Sequence, residues 1–489
     1  MLRTRLATAG GLLGLVVLSL VVRSRALDGA LWIDEAISRG IASHEVTEIP
    51  GVLRQDGSPP LYYLLLHAWT AAFGDGEAAL RSLSLAAAVL TVPTALWAGT
   101  LVAGRRAGWV AAVLAALNPF LTIYAQEARM YALVALLSLL ACGSFVRGFV
   151  DGSAAHRALF AAVLAALLYT HAWAIFLGLG FAVAAAIHLR GRLREAAAPF
   201  AAAAVAFAPW LPTLLDQARH TGAPWSQTPS GEALLGAIPG ALDGGGGAAA
   251  VIAVGALGFL RVRGESRVGR VALLLGSVAA VALVAAWAHS HVSPSWANRY
   301  LAVLVGPVIL LGATGLARAG RLGLAAAAAV SLLWLAFTVD PDKSNARAVA
   351  AATGRLPSRT LVVSTQPEQV PLLAYYLEGA AAYSTPLGAV ADERLMDWRD
   401  ALPRLRAAGT GELHELAGRL RPGDRLALVL PLGAERGWDA PWQLEVRRVT
   451  KAWRAAARTD ARLLHRRTVR APRVRRSRTD VQLLLFERV

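Results

Sequence analysis

The sequence predicts an all-α polytopic membrane protein of about eleven spans, carrying a small extracytoplasmic α/β domain at its C-terminal end. Three observations lead there. Hydrophobic residues fill 56% of the 489 positions and mean hydropathy is +0.49, more apolar side chain than a soluble protein of this length needs. Apolar stretches of near-spanning length recur from the N-terminus to about position 339. Arginines are also shared unevenly between alternate loops of that region.

The first stretch, 6–22, follows Arg3 and Arg5 and runs into Arg23 and Arg25. It lacks a small-x-small cleavage pattern, so it is expected to stay as an uncleaved span. The further candidates are 79–102, 107–124, 130–148, 158–171, 172–189, 197–214, 247–260, 271–288, 300–316 and 322–339. Each is weighed against the roughly 20 apolar residues that a bilayer crossing needs. Segment 59–73 is too short and is flanked by Asp56 and Asp75, which predicts a re-entrant or interfacial helix buried by protein. With the N-terminus inside, the inner side holds 15 arginines and three acids, the outer side eight arginines and 12 acids. That is the positive-inside bias. An odd span count then exports the last part, dividing the chain into a membrane domain, 1–339, and an extracytoplasmic domain, 340–489. There, β-rich runs at 360–364, 426–430 and 481–486 alternate with helix-like stretches at 366–377 and 442–457.

The net charge of +17 does not point to nucleic acid, because loop arginines and a basic C-terminal run account for most of it. From Arg447 to Arg478 there are 13 Lys or Arg and one acid, Asp460. The plain reading is a solvated face; the sharper one is contact with anionic headgroups or an anionic wall polymer. Lysine occurs only at 343 and 451, a bias that reads as a high-GC bacterial genome. The single cysteine, Cys142, excludes an intramolecular disulfide and a thiolate metal cluster. No Walker motif, dinucleotide fingerprint or zinc-ligand pattern is present.

The chemistry is concentrated at the predicted outer ends of the spans, where ionisable groups are costly and are kept for function. Trp32-Ile33-Asp34-Glu35 follows the first span, and a carboxylate there can act as a general base. Asp56-Gly57-Ser58-Pro59-Pro60 reads as a turn at a helix start, holding Asp56 at its mouth ahead of Tyr62, Tyr63 and His67. Helical spacing makes those aromatics as suited to packing as to binding, and His67 reads best as a packing histidine. Tyr124 to Tyr131 contains Glu127 and Arg129. Arg129 suits bidentate recognition of phosphate, with Glu127 orienting it, touching a sugar, or forming a structural pair with it. Arg299-Tyr300 repeats the theme, although an arginine at that depth also snorkels to headgroups. His171 lies at another outer turn.

The ordered set W-I-D-E-A, D-G-S-P-P-L-Y-Y-L-L-L-H-A-W and Y-A-Q-E-A-R-M-Y-A-L resembles the bacterial GT-C glycosyltransferases, in the branch of protein mannosyltransferases and lipid A aminoarabinose transferases. The close resemblance covers about the first third of the chain, with weaker support from Y-T-H-A-W and N-R-Y-L. It implies a GT-C fold with two interfacial helices in the first outer loop. It also implies inverting transfer of mannose or another hexose or pentose, from a polyprenyl-phosphate carrier to an acceptor glycan, lipid or protein outside the bacterial cytoplasmic membrane. Asp34 would be the base with Glu35 beside it. Arg129 and Arg299 would hold the carrier phosphate, and Asp56, Tyr62, Tyr63, His67, Glu127, His171 and Tyr300 would line the donor site. No cofactor is evident, and a divalent metal is compatible with the family. A secondary transporter or a flippase of lipid-linked sugars is the competing reading, disfavoured by the absence of a repeated half and of midplane charges.

Overall fold

The computed structural model describes residues 2–262, 264, 266–433, 438–475, 477 and 479–489. Arg263 and Glu265 of the inner charge count, and Arg476 and Arg478 of the basic run, lie outside the described residues. Every predicted apolar stretch contains helix, but length separates them. Among the described residues six helical stretches are long and apolar enough to cross a membrane: Leu6–Arg23, Glu77–Ala103, Tyr131–Val150, Arg190–His220, Arg267–Val292 and Asn298–Arg318. Arg105–Leu117 and Pro119–Ala125 make a seventh if taken as one span bent by 48°. The bend has a cause: Pro119 cannot donate a backbone hydrogen bond, and the Asn118 side chain caps the new helix by accepting from Leu121 N at 2.9 Å. Ala154–Thr170, Ala174–His188, Gly246–Phe259 and Arg321–Leu335 have 14 to 17 residues. At about 1.5 Å per residue they fall short of a core roughly 30 Å thick. The expected count of eleven is therefore not met on length alone.

Small residues let these helices pack backbone to backbone. A Cβ on Gly258 would lie 1.8 Å from the carbonyl oxygen of Gly315, so that crossing tolerates only glycine. Arg23 is fully buried, its guanidinium spent on Ser19 Oγ and the carbonyls of Ala88 and Ala115.

The loop after the first helix contains two longer helices, Ile33–Ala42 and Leu61–Phe73, separated by a short helix, Ile49–Val52, and a 3₁₀ turn, Leu53–Gln55; the second longer helix is a 13-residue element matching the segment judged too short to span. Between them Gly57 turns at φ +93°, and a Cβ there would meet Thr221 Oγ1 at 2.9 Å.

The C-terminal portion is built on a six-stranded mixed sheet of strands β1 (Thr360–Ser364), β2 (Ala380–Thr385), β3 (Gly388–Ala389), β4 (Arg425–Pro431), β5 (Leu463–Val469) and β6 (Val481–Arg488), in the order β3-β2-β1-β4-β6-β5. The three predicted strands are present as β1 (Thr360–Ser364), β4 (Arg425–Pro431) and β6 (Val481–Arg488). Sequence reading missed β2 (Ala380–Thr385), β3 (Gly388–Ala389) and β5 (Leu463–Val469). The last is an edge strand whose exposed His465, Arg466 and Arg467 hide its strand character and blunt the edge. The helix Pro441–Thr459 buries Trp442, Val446, Val449, Trp453 and Ala457. The predicted helix at 366–377 is a 3₁₀ turn, Pro367–Gln369, running into Val370–Tyr376, with a proline in the first turn of each piece.

This portion docks closely on the loop after the first helix. Asp342 accepts from Ala30 N at 2.7 Å, Lys343 N donates to Ala30 O at 3.1 Å and Ser344 Oγ donates to Leu31 O at 2.6 Å. Tyr376 OH accepts from Leu31 N at 2.9 Å, and Trp398 N donates to Gln55 O at 2.9 Å. Gly40 lies against the Arg394 carbonyl with no room for a Cβ.

Candidate active site

A cavity of about 680 Å³ lies between one end of the helical region and the C-terminal portion. Its membrane-side wall includes Trp32, Asp34, Asp56, Arg129, Tyr131, His171, Trp173, Arg299 and Tyr300. The C-terminal portion closes it with Gln366, Glu368, Trp398, Trp438, Gln443 and Thr479.

Asp34 and Glu35 are consecutive in the Ile33–Ala42 helix, so about 100° of rotation sends their side chains different ways. Asp34 faces the cavity, 22% exposed, with Arg299 at 3.8 Å. Glu35 turns into the protein and is 0% exposed. Arg81 grips both of its oxygens, Nε and an η nitrogen each at 2.7 Å, and Ala128 N donates to it at 2.9 Å. Lys343 Nζ stands at 3.5 Å. Burial works against the charge, but Lys343 and Arg81 outweigh it and hold the Glu35 carboxyl down at about 2. Arg81 also serves the carbonyls of Leu27 at 2.9 Å and Gly29 at 2.8 Å, tying the loop to the head of the Glu77–Ala103 helix. Its burial and its bonds to Arg81 and Ala128 N place Glu35 behind the cavity wall rather than on it.

Asp56 lines the cavity beside Ser58. Burial raises its carboxyl pKa, with Arg129 opposing. Tyr63 OH donates to Asp56 at 3.4 Å and accepts from Arg129 at 3.1 Å; the same arginine reaches Ser38 Oγ at 3.2 Å. The guanidinium of Arg129 lies 5.9 Å from the Tyr131 ring, and that of Arg299 lies 5.4 Å from Tyr300 and 6.0 Å from Trp32. His171 accepts from Trp173 N through Nδ1 at 3.1 Å, which assigns its proton to Nε2. Burial, then Arg129 and Arg299, push its pKa down to about 3, so the ring is neutral near pH 7. Tyr300 packs against it with ring centroids 4.7 Å apart.

Four other expected donor-site residues stand back from the cavity. Tyr62 is fully buried and pairs with Ser84 at 2.9 Å, while Tyr63 supports the wall from behind. His67 bonds the Ala42 carbonyl at 2.9 Å and lines a separate shallow pocket with Arg39 and Asp75. Glu127 does not orient Arg129 through its side chain. It is 6% exposed with its carboxylate 3.5 Å from Lys343, and burial raises its pKa although Lys343 opposes. A buried carboxylate requires a cation, and here a residue 216 positions away supplies it.

Ten of the sixteen buried side-chain polar atoms without a partner, among the described residues, belong to residues lining this one cavity. They include Arg129 Nε and Arg299 Nε. Buried polar atoms are otherwise paired, so this concentration marks a site shaped for a polar ligand. Asp34 and Asp56 both face it, yet no group of three metal-ligating side chains exists among the described residues. Two carboxylates alone do not make a donor set that fits a resident metal.

No family model matches the chain, and no curated protein matches it either. Solved structures do. ArnT from Cupriavidus metallidurans in the apo state superposes with a TM-score of 0.65 at 13% identity, over 98% of this chain and 98% of that one. The same protein bound to undecaprenyl phosphate gives 0.61 at 13% identity, over 97% and 98%. The oligosaccharyltransferase of Archaeoglobus fulgidus in the apo form gives 0.53 at 12% identity, over 86% of this chain and 69% of that one. The fold is that of the GT-C glycosyltransferases.

Proposed function

We propose that this protein transfers a sugar from a polyprenyl-phosphate carrier to an acceptor hydroxyl on the outer side of the bacterial cytoplasmic membrane, with inversion. The observation that carries the reading is the wall where Asp34 faces one cavity with Arg129 and Arg299, each arginine keeping an unpartnered Nε. The likeness to an ArnT bound to undecaprenyl phosphate supports a carrier of that kind. The arginine asymmetry supports an N-terminus inside, a cavity facing out and an extracytoplasmic domain at 340–489.

In this reading the Asp34 carboxylate takes the acceptor proton as the hydroxyl oxygen bonds to the anomeric carbon from one face. The bond from that carbon to the phosphate oxygen breaks on the opposite face, and the phosphate leaves with the electron pair. Arg129 and Arg299 stabilise the charge growing on it. His171, as a neutral imidazole with its proton on Nε2, can donate a hydrogen bond without adding charge. The sugar is mannose or another hexose or pentose.

The test uses purified protein in nanodiscs with polyprenyl-phosphate mannose and envelope extract. Protein-dependent release of polyprenyl phosphate, with mannose transferred to extract material, is the expected result. Solute uptake into vesicles without any such release would favour the transporter reading instead.

A further inference from the structure

The unpartnered atoms of the cavity are sorted by chemistry. On the membrane-side wall they can all donate: Trp32 Nε1, Arg129 Nε, Tyr131 OH, Trp173 Nε1 and Arg299 Nε. On the roof contributed by the C-terminal portion they are acceptors: Gln366 Oε1, Glu368 Oε2 and Gln443 Oε1. Gln217 Oε1 and Trp225 Nε1, the other two, come from the Leu211–His220 helix and the loop after it. Donors suit an anion, whereas an array of acceptors suits hydroxyl groups.

Two of the three roof atoms, those of Gln366 and Glu368, are held in that orientation. Gln366 gives its amide nitrogen to Glu368 Oε1 at 2.6 Å, so its own oxygen is turned away from that bond. The same Glu368 oxygen also accepts from Trp442 Nε1 at 2.9 Å, which leaves Oε2 free. Gln366 and Glu368 are 5% and 6% exposed, so water does not readily take the place of a partner. Burial pushes the Glu368 carboxyl up to about 7, so Oε2 both accepts and donates near neutrality. Trp398 and Trp438 line the same roof and add apolar surface to it. Hydroxyls in fixed directions around an apolar C–H face describe a sugar ring.

We propose that Gln366, Glu368 and Gln443 form a subsite for a hydroxyl-rich sugar ring of the acceptor, held by the C-terminal portion opposite the phosphate-facing arginines. This rests on the transferase reading and makes the acceptor a carbohydrate. The ring belongs to the acceptor because the carrier phosphate is drawn to the opposite wall.

Full-length protein in nanodiscs is titrated with undecaprenyl phosphate and, separately, with methyl glycosides of mannose, glucose, galactose and arabinose, read by tryptophan fluorescence. At least one glycoside should bind saturably, and Glu368→Gln or Gln443→Leu should weaken it by about tenfold. Undecaprenyl phosphate binding should not change. The Gln443 oxygen has no partner, so Gln443→Leu keeps the test valid if Glu368→Gln melts early. The proposal is overturned by a wild type that binds no glycoside, or by variants that bind glycosides normally. It is overturned equally if the variants weaken only polyprenyl-phosphate mannose, which would give the ring to the donor. A wild type that fails to bind undecaprenyl phosphate strikes the transferase reading instead, whatever the glycosides do.

Discussion

Glu35→Gln should cost stability, and its neighbour Asp34→Asn should cost turnover. Glu35 is fully buried between Arg81 and Lys343, and its carboxyl is held at about 2 against an ordinary 4.5. At about 1.4 kcal/mol per pKa unit that difference is worth roughly 3 kcal/mol. Breaking one side of a buried pair costs about the same, ~3–5 kcal/mol. Because the folded value is depressed, this stability is fully present above about pH 4.5 and is lost as pH falls toward about 2. Thermal unfolding in detergent should therefore show Glu35→Gln melting well below wild type at pH 7, with the gap narrowing as the pH falls below 4.5. Asp34 is 22% exposed and its nearest arginine stands at 3.8 Å, so Asp34→Asn should change stability by less than about 1 kcal/mol. Its loss as base should slow sugar transfer by about 10²–10⁴-fold. Near-normal turnover by Asp34→Asn would refute its role and pass it to Asp56. A Glu35→Gln protein melting like wild type at pH 7 would refute the stabilising role of Glu35.

Three further outcomes are expected. Arg129→Lys keeps the charge but loses the planar fork, so undecaprenyl phosphate binding should weaken by about tenfold in a titration, with a nearly unchanged melting temperature. Lys343→Met leaves Glu127 and Glu35 without their shared cation, 3.5 Å from each. Glu127, already raised by burial, should then resist ionisation further, so the loss in melting temperature should grow from pH 5 to pH 8; a pH-independent loss would contradict the pairing. Protease added to intact spheroplasts should remove residues 340–489, and cleavage only after permeabilisation would invert the topology.

What was legible in the sequence follows from which interactions are local. Hydropathy marked the helices because each carries its own apolar surface, but it could not tell a 27-residue helix at Glu77 from a 15-residue one at Arg321. Both read as apolar runs with polar ends. Motif reading picked out Asp34, Asp56, Arg129, His171, Arg299 and Tyr300, all of which line the cavity. It could not separate them from Tyr62, His67 and Glu127, since a sequence does not say which face of a helix meets which neighbour. Arg81 left one signal: a charge four residues inside a long apolar helix needs a partner. Lys343 and Glu368 left none. A lone lysine in a polar connection and a glutamate beside Pro367 become functional candidates only through residues hundreds of positions away.

The Lys343 contact also bears on how the protein comes into being. It stands 308 residues after Glu35, the carboxylate it helps to bury. At roughly 5–20 residues per second of synthesis, the loop after the first helix waits about 15–60 s for that cation to be made. During this interval Arg81 can already hold Glu35, but Glu127 has no counter-charge and the cavity has no roof. The cavity is thus closed only once the residues from Lys343 onward have been made. A product truncated before Lys343 would present quality-control proteases with a loop that the later residues cover.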